Sequence, residues 1–510
     1  MISRTYSFGL FGLDAYPVEI EVDVANGLPA VNIVGLADTS IKESKERVRS
    51  AIKNSGFQWP AQRITINLSP SDVRKEGASF DLAIALGVLA ATGQINKNSL
   101  KNYFFLGELS LDGQLRPIHG VLTISLTLAK FPIRNLILPE KNAKEASIIS
   151  EISAWPLKTL KEVVQFLAEP NPPPPLKLEI GQILKDSTNY PFDFSEVKGQ
   201  YFAKRALEVA VSGGHNILMI GPPGSGKTML AKRIPTIMPS LSVSETLEIT
   251  KIHSVAGTLL DKNSFMGTRP FRSPHHSISD VALIGGGSVP KPGEISLAHY
   301  GVLFLDELPE FNRKALEALR QPLEDNLICI SRVKRTLIFP AYFILAVALN
   351  PCPCGNYFSP QKVCHCNPTK IRNYLGKISG PLLDRIDLHI EISQIKYSEL
   401  SDRQDAENSQ TIKLRVENAR AIQKQRFNST GIFCNAQMSH KLIKQHCALN
   451  KEAQELMRLA INELALSARA YDKILKMGRT IGDLASSEQI QAPHIAEAIQ
   501  YRSLDRAFLT

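Results

Sequence analysis

Long apolar runs are missing from this sequence of 510 residues. The longest that we find, near Tyr342 to Leu349, is far shorter than the ~20 residues with which a helix spans a membrane. The first residues, MISRTYSFGLFG, lack the apolar core of a secretory signal peptide. We therefore expect a cytoplasmic protein with no membrane partner.

Cysteine is scarce as well, with seven residues, of which four lie between Cys352 and Cys366. An odd count with this crowding does not suit the disulfide framework of a small secreted protein, and a reducing compartment fits it. Low-complexity sequence is confined to four prolines at 172–175, which disfavour a helix and predict an extended spacer.

The overall composition excludes few other classes. Hydrophobic residues at 44% and charged residues at 21% are typical of a soluble globular protein, and the length is too great for a single core. A net charge of +10 and a pI near 9.1 permit a polyanionic partner, since Lys and Arg neutralise phosphates. Charge alone does not decide for nucleic acid.

Changes of pattern predict three domains and a linker. In residues 1–168, short strands such as RITINLS and RNLILPE alternate with the amphipathic helix TSIKESKERVRSAIKNSG, which indicates an α+β fold. Residues 169–190 form the proline-rich linker. Residues 191–394 alternate apolar strands and helices, as expected of a parallel α/β core, and residues 395–510 are helical.

The predicted helix of the first domain has recognisable ends. Ser40 and Glu43 have the spacing of a capping box, and Gly56 is the stop. Its apolar face would contain Ile41, Val48 and Ile52.

A phosphate-binding loop follows the first apolar strand of the α/β core. The segment NILMIGPPGSGKTMLAKRI contains the G-x-x-x-x-G-K-[ST] pattern between a strand and a helix start. Glycines let backbone N–H groups turn towards phosphate, the lysine reaches the β- and γ-phosphates of ATP, and the threonine holds Mg²⁺. The predicted nucleotide-binding residues are Gly221, Pro222, Pro223, Gly224, Ser225, Gly226, Lys227 and Thr228.

Two further strands end in residues suited to ATP hydrolysis. The strand in GVLFLDELPEF ends at Asp306, which suits the Mg²⁺ shell, and Glu307, which suits the base that polarises water. FILAVALNP ends at Asn350, whose amide could orient the water or sense the γ-phosphate. In SGPLLDRIDLHIEI, Arg385 is either a surface ion-pair residue or an arginine finger, which works only in an assembly.

These parts, in this order, resemble the magnesium-chelatase-like group of AAA+ ATPases. The segments GLPAVNIVGLADTSIKESKERVRSAIKNSGF, RPFRSPHHSISDVALIGGGSVPKPGEISLAHYGVLFLDELPEF and LNPCPCG are similar to the bacterial ComM (YifB) family of competence-associated ATPases. The resemblance extends over nearly the whole chain. It implies an AAA+ P-loop core, an N-terminal Lon-peptidase-like (ribosomal S5 domain 2-like) domain and a C-terminal helical lid.

The same resemblance implies function and residue roles. The family is expected to be a homohexameric, ATP-driven motor that migrates branched DNA during recombination and natural transformation, with single-stranded and branched DNA as partners. By position, Lys227 and Thr228 become Walker A residues, Asp306 and Glu307 Walker B, and Asn350 sensor 1. Arg385 becomes the finger. Arg469 of SARAYD becomes the sensor 2 arginine, although an arginine on an amphipathic helix is commonly just solvated.

Two other functions use the same core motifs. One is a metallation enzyme subunit like that of magnesium chelatase, and the other is an AAA+ ATPase that remodels proteins without DNA. DNA should stimulate the ATPase of a DNA motor but not that of a chelatase subunit.

The first domain also resembles the Lon peptidase fold, with Ser79 of RKEGASFDLAIALG at the place of the nucleophile. A serine needs a base, and Lon-like sites use a lysine. The expected lysine position, soon after GQLRPIHGVL, holds Leu122 and Thr123, and His119 is a poor substitute. We therefore expect no peptidase activity and interpret the domain as a module for assembly or DNA contact.

A basic hairpin is the predicted DNA contact. NLICISRVKRTLIFPA alternates like a hairpin with Arg332, Lys334 and Arg335 near its tip, and such hairpins in related AAA+ helicases face the channel of the ring. The alternative is an exposed basic turn. HHSISDVALIGGGSVPKPGE is interpreted as a second pore element, the helix-2 insertion, in which His275 and His276 lack the partners of a metal site.

The stretch CPCGNYFSPQKVCHC supplies four thiols, from Cys352, Cys354, Cys364 and Cys366. Four thiolates suffice for tetrahedral Zn²⁺, although C-x-C spacing is less typical than C-x-x-C and His365 could replace one ligand. A redox pair and a plain cysteine-rich loop are the alternatives.

Overall fold

A computed structural model describes residues 1–73, 75, 77–177, 190–259, 265–287, 290–331, 336–357, 362–394, 406–428, 430–464 and 467–504. Two compact units are present, Met1–Ser187 with Thr246–Gly267, and Thr188–Glu245 with Thr268–Thr510. Among the described residues, no helix combines the length and the apolar character that crossing a membrane requires.

Strands β1 to β9 belong to the first unit. Their bounds are Ile2–Phe11, Asp14–Ala25, Ala30–Val34, Arg63–Ser69, Phe104–Phe105, Glu108–Leu109, Leu115–Arg116, Asn135–Pro139 and Ser153–Leu157. In the described part, one sheet has the order β3-β4-β2-β1-β5-β8-β9, antiparallel between β1, β2 and β4 and parallel elsewhere. A separate two-stranded sheet pairs β6 with β7.

The core of the first unit forms because alternate residues of the long strands face the helices. Val18, Ile20 and Val22 of β2 are fully buried, and so is every residue of the helix Asp81–Ala91. The remaining α-helices of residues 1–177 are Thr39–Asn54, Val121–Leu128, Ala143–Ala146 and Leu160–Ala168.

The helix Thr39–Asn54 buries Ile41, Val48 and Ile52, as predicted. Its predicted start was wrong. Asp38 is the N-cap, and its carboxylate accepts a hydrogen bond from the backbone N–H of Ile41. The helix therefore begins two residues earlier than a cap at Ser40 would allow.

Residues 246–267 lie within the range predicted for the ATPase core, yet they pack with the first unit. Phe265 is buried in the same apolar cluster as Phe8, and the backbone N–H of Gly120 donates to the carbonyl of Ser254 at 3.2 Å. The buried Glu145 accepts hydrogen bonds from the Ser254 hydroxyl and from the Leu122 N–H. Burial raises the pKa of Glu145.

Strands β10 to β18 belong to the second unit. Their bounds are Ile217–Ile220, Phe271–Arg272, Gly285–Gly286, Lys291–Pro292, Val302–Leu305, Leu327–Ser331, Thr336–Pro340, Ile344–Leu349 and Leu388–Glu391. The central sheet is parallel, in the order β11-β14-β17-β10-β18. Its inner strands are buried on both faces, which explains their continuous apolar sequences. The parallel α/β core is confirmed.

Helices surround this sheet and continue to the end of the described chain. Those that precede residue 395 are Tyr201–Gly213, Lys227–Ile237, Asp280–Ile284, Glu294–Leu297, Arg313–Ala318, Arg320–Asp325, Pro368–Leu375 and Gly380–Leu383. The helix Val243–Ala256 begins in this unit and belongs to the first unit from Thr246 onward. The later ones are Ser409–Arg426, His440–His446, Lys451–Leu464, Ala468–Leu484 and Ala492–Gln500, so the described residues after 406 are mainly helical.

Candidate nucleotide site

The parallel sheet brings three predicted segments to one edge. Strands β10, β14 and β17 are neighbours, and their carboxyl ends lead into the Gly221–Thr228 loop, Asp306 and Asn350. In open parallel α/β sheets, ligands bind at this edge. Topology therefore unites residues that are far apart in sequence.

Lys227 occupies the centre of this edge. Its ammonium group donates to the carbonyl oxygens of Gly221 and Pro222 at 2.7 and 3.0 Å, and to the Asn350 side-chain oxygen at 3.2 Å. Burial lowers its pKa, while the carboxylates of Asp306 and Glu307 act in the opposite direction. The ammonium group already lies among oxygen acceptors, which is the surrounding that a phosphate would provide.

The loop shape depends on its glycines. Gly224 and Gly226 have φ of 78° and 90°, which side chains disfavour, and a Cβ on Gly221 would lie 2.3 Å from the Ile392 carbonyl oxygen. A Cβ on Gly224 would meet nothing within 4 Å, so open space lies beside the loop. Helix Lys227–Ile237 begins directly after it, and a helix N-terminus favours anions.

The Thr228 side chain lies against the carboxylate of Asp306. The Thr228 hydroxyl donates to Asp306 Oδ2 at 2.7 Å, and the Glu307 backbone N–H donates to Asp306 Oδ1 at 3.0 Å. Hydroxyl and carboxylate oxygens are the donors that Mg²⁺ prefers, so this pair fits the metal of a Mg²⁺–ATP complex. Glu307 has φ of 53° and an exposed carboxylate whose Oε2 is 4.0 Å from His276 Nδ1.

The two predicted arginines lie elsewhere. Arg385 pairs with Glu324 and donates to the carbonyl of Pro381, and 11% of its side chain is exposed. Arg469 is exposed, with Nη1 3.5 Å from Asp384 Oδ2. In the described part of the chain, no hydrogen bond or ion pair joins either arginine to the Gly221–Thr228 loop.

A buried ion pair connects the strand after Arg385 to the final helices. Asp387 Oδ1 lies 2.8 Å from Lys473 Nζ of the helix Ala468–Leu484, and Asp387 Oδ2 lies 3.2 Å from His215 Nδ1. Burial opposes the charge of Asp387, but Lys473 and His215 together hold its pKa well below the ordinary value.

Two neighbours of the site had no signal in the sequence. Gln200, at φ of 53°, donates from its amide to the carbonyls of Ser393 at 2.7 Å and Ser225 at 3.4 Å. Tyr374 is buried, and burial with the nearby carboxylates of Glu310 and Glu307 raises its pKa to about 12. Only a structure shows that these side chains reach the loop and strand ends.

Two further segments predicted to contact DNA or the pore are the basic hairpin and the helix-2 insertion. Strands β15 and β16 pair antiparallel up to Ser331 and Thr336, so the hairpin exists, while its basic tip with Arg332, Lys334 and Arg335 lies outside the described residues. In the helix-2 insertion, a short helix Asp280–Ile284 leads into the paired strands β12 and β13.

The four cysteines come together. The sulfur atoms of Cys352, Cys354, Cys364 and Cys366 all lie within 4.8 Å of one another, and His365 is not part of the group. A hydrogen bond from the Asn356 N–H and the neighbouring Cys352 thiol lower the pKa of Cys354 to about 6, whereas burial raises that of Cys352.

The described residues of the Ser79 segment show no comparable assembly. Ser79 is half-buried and its carbonyl accepts a hydrogen bond from the Gly107 N–H at 3.1 Å. Leu122 and Thr123 are buried in the helix Val121–Leu128, and His119 lies against Gly257.

Family models for the magnesium chelatase subunit ChlI match three parts of the chain. The model "Magnesium chelatase, subunit ChlI" matches residues 193–400, "Subunit ChlI of Mg-chelatase" matches residues 20–142, and the C-terminal model matches residues 406–502. The competence protein ComM of Haemophilus influenzae is 44% identical over 99% of this chain and 98% of its own length.

This chain belongs to the ComM (YifB) family of magnesium-chelatase-like AAA+ ATPases. The YifB protein of Escherichia coli is 42% identical over 100% of this chain and 98% of its own. A Lon protease of Chloroflexus aurantiacus is 27% identical over 30% of this chain and 20% of its own. Membership of this ComM family implies ATPase activity, with ATP and Mg²⁺ as ligands, which agrees with the geometry around Lys227.

Proposed function

We propose that this protein is an ATP-driven DNA motor that acts as a hexamer and promotes branch migration of recombining DNA, including during natural transformation. The observation that carries the ATPase part is the contact of Lys227 with Asn350 beside the Thr228–Asp306 pair. The DNA part is supported by full-length similarity to a protein named for competence.

Each residue of the nucleotide site has a task that follows from its position. Lys227 would bind the β- and γ-phosphates, because its ammonium group is buried among oxygens at the start of a helix. Thr228 and Asp306 would hold Mg²⁺, which supplies neutralisation of the phosphate charge. Glu307 is exposed and would polarise the attacking water.

Asn350 and the two arginines would complete the reaction. The Lys227 ammonium group donates hydrogen bonds both to the loop carbonyls and to the Asn350 side chain. The Asn350 amide would therefore contact the γ-phosphate that Lys227 binds. Arg385 would act on the ATP of a neighbouring subunit, after leaving Glu324. Arg469 would act from the helical lid.

The test measures the ATPase rate with single-stranded, duplex and four-way-junction DNA at low salt, together with ATP-dependent conversion of a mobile junction. The intact protein should be stimulated by DNA and convert the junction, and Lys227→Ala should lose both. Lys232→Ala, an exposed lysine on the same helix, is the matched control and should behave like the intact protein.

Other outcomes assign other functions. An active ATPase in an assembled ring that neither responds to DNA nor converts a junction would favour a chelatase-like or protein-remodelling role. The double variant Lys334→Ala with Arg335→Ala tests the hairpin. We expect it to weaken DNA binding while basal hydrolysis survives, and unchanged DNA affinity would remove the hairpin from the proposal.

A further inference from the structure

The four cysteines are not among the residues proposed to bind or hydrolyse ATP. In sequence they lie between Asn350 and the helix Pro368–Leu375, which contains Tyr374. Cys352 and Cys354 follow Asn350 at the end of β17, and Cys364 and Cys366 precede the helix Pro368–Leu375. Among the described residues, this is the group of His, Cys, Asp and Glu side chains with metal-ligand proximity.

The sulfur geometry suits one tetrahedral ion. The Sγ atoms of Cys352 and Cys354 are 3.3 Å apart, and Cys364 Sγ lies 3.7 Å from Cys352 Sγ and 3.6 Å from Cys354 Sγ. Tetrahedral Zn²⁺ with Zn–S bonds of about 2.3 Å requires sulfur separations of about 3.8 Å. A disulfide requires about 2.05 Å, and all four cysteines are free. The distances therefore match a shared metal ion better than a cystine.

The turn that contains Cys352 and Cys354 packs against the Gly221–Thr228 loop. Gly355, directly after Cys354, has φ of 77°, and its N–H donates to the Cys352 carbonyl at 2.9 Å. A Cβ on Gly355 would lie 2.4 Å from Cδ and 2.7 Å from Cγ of Pro223. The backbone of the turn is thus in van der Waals contact with a residue of the Gly221–Thr228 loop, and a side chain at this place would push the loop away.

The hydrogen bond between Lys227 and Asn350 lies close in sequence to the first two cysteines. Asn350 lies two residues before Cys352 and accepts the hydrogen bond from Lys227. Tyr374, in the helix after Cys366, is buried beside Asn350. An ion that joins both cysteine pairs would fix the chain on either side of the contacts to Lys227 and Pro223.

We propose that Cys352, Cys354, Cys364 and Cys366 bind one zinc ion, which holds Gly355 against Pro223 and so sets the affinity of the loop for nucleotide. The effect on nucleotide affinity rests on the proposed nucleotide binding, whereas the zinc site does not depend on it. Loss of the ion frees the turn, and nucleotide binds more weakly because the loop must then be ordered by the ligand itself.

The experiment measures zinc per chain by elemental analysis after purification without chelator, and affinity for a fluorescent ADP analogue by titration. We expect close to one zinc per chain. Cys354→Ser with Cys364→Ser should lose the zinc and weaken ADP binding by about tenfold or more. Cys329→Ser changes an exposed cysteine of β15 outside the cluster and should alter neither value.

Two further samples separate the metal from the contact. Gly355→Ala should keep the zinc and still weaken ADP binding, because it moves Pro223 without removing a thiol. Treatment of the intact protein with phenanthroline should remove the zinc and weaken ADP binding, and added zinc sulfate should restore it, which covers the case of a cysteine variant that does not fold.

Lys227→Ala distinguishes the two proposals, since it should keep the zinc and lose ADP binding. Well below one zinc per chain in the intact protein would overturn the metal site. A zinc-free protein that binds ADP as tightly as the intact one would overturn the coupling. Zinc at one per chain with no ADP binding by the intact protein would overturn the proposed ATPase and the coupling, and leave the metal site standing.

Discussion

Two regions of this chain present a chemically important side chain next to a glycine-containing turn, Lys227 in the second unit and Ser79 in the first. Around Lys227, two strand ends supply an amide and a carboxylate and the start of a helix supplies a hydroxyl, within hydrogen-bonding distance of one another or of the lysine. Around Ser79, the positions where a base is expected hold Leu122 and Thr123. The difference shows that a short motif acquires chemistry only when the fold supplies its partners.

One residue predicted for the nucleotide site is paired elsewhere in the chain. The predicted arginine finger, Arg385, pairs with Glu324 of the same chain. Glu324 lies in the short helix that precedes β15 of the basic hairpin. The residue that we propose to act on a neighbouring subunit is therefore paired with the helix that precedes the predicted DNA-binding hairpin.

Lys227→Ala gives the largest contrast between the two regions. It removes the cation that the loop is built around, so we expect the ATPase rate to fall by about 100-fold or more. Steady-state phosphate release measures this, and circular dichroism checks that the variant is folded. A Lys227→Ala protein that hydrolyses ATP within a factor of three of the control Lys232→Ala would place the active site elsewhere.

Glu324→Gln should change the ATPase rate less than Lys227→Ala does, and in the opposite direction. The Arg385–Glu324 pair is open to solvent on the glutamate side. Solvent-exposed ion pairs contribute about 0.2–1 kcal/mol, so releasing Arg385 should raise the ATPase rate of the assembled protein by up to about fivefold. Asp325→Asn, which removes the same charge one residue along, is the control and should leave the rate unchanged. A slower Glu324→Gln protein would mean that the glutamate positions the finger instead of withholding it.

Ser79→Ala should have the smallest effect. A half-buried serine whose expected base positions hold Leu122 and Thr123 should contribute little, so we expect an unchanged ATPase rate and a change in unfolding free energy within about 0.5 kcal/mol. The decisive measurement is degradation of casein in the presence of ATP. Proteolysis by the intact protein that disappears in Ser79→Ala would make the first unit a peptidase.

Local motifs were predictable where the chemistry is contained in a few consecutive residues. The loop around Lys227 and the strand ends at Asp306 and Asn350 belong to this class, because a buried parallel strand announces itself by a continuous apolar run. The apolar face of the helix Thr39–Asn54 was predictable from its spacing, whereas its first residue was not, because Asp38 and Ser40 can both cap a helix.

Contacts between distant segments could not be predicted from one sequence. Nothing in the sequence around Gln200 or Glu324 indicates that their side chains reach Ser225 and Arg385. The linker prolines were expected to form an extended spacer, and no pattern in the sequence indicates that the Pro173 carbonyl accepts a hydrogen bond from the Trp155 indole N–H at 2.8 Å. Packing decides such pairs, and packing is a property of the whole fold.

The buried pair of Asp387 and Lys473 links the segment that contains Arg385 to the helix Ala468–Leu484. Asp387 lies two residues after Arg385 and is fastened at 2.8 Å to the helix Ala468–Leu484. Breaking a buried ion pair costs about 3–5 kcal/mol, so the helix and the strand should move together when the lid turns. In the ring that we propose, a displacement of this helix would then move Arg385, which acts on the ATP of the next subunit.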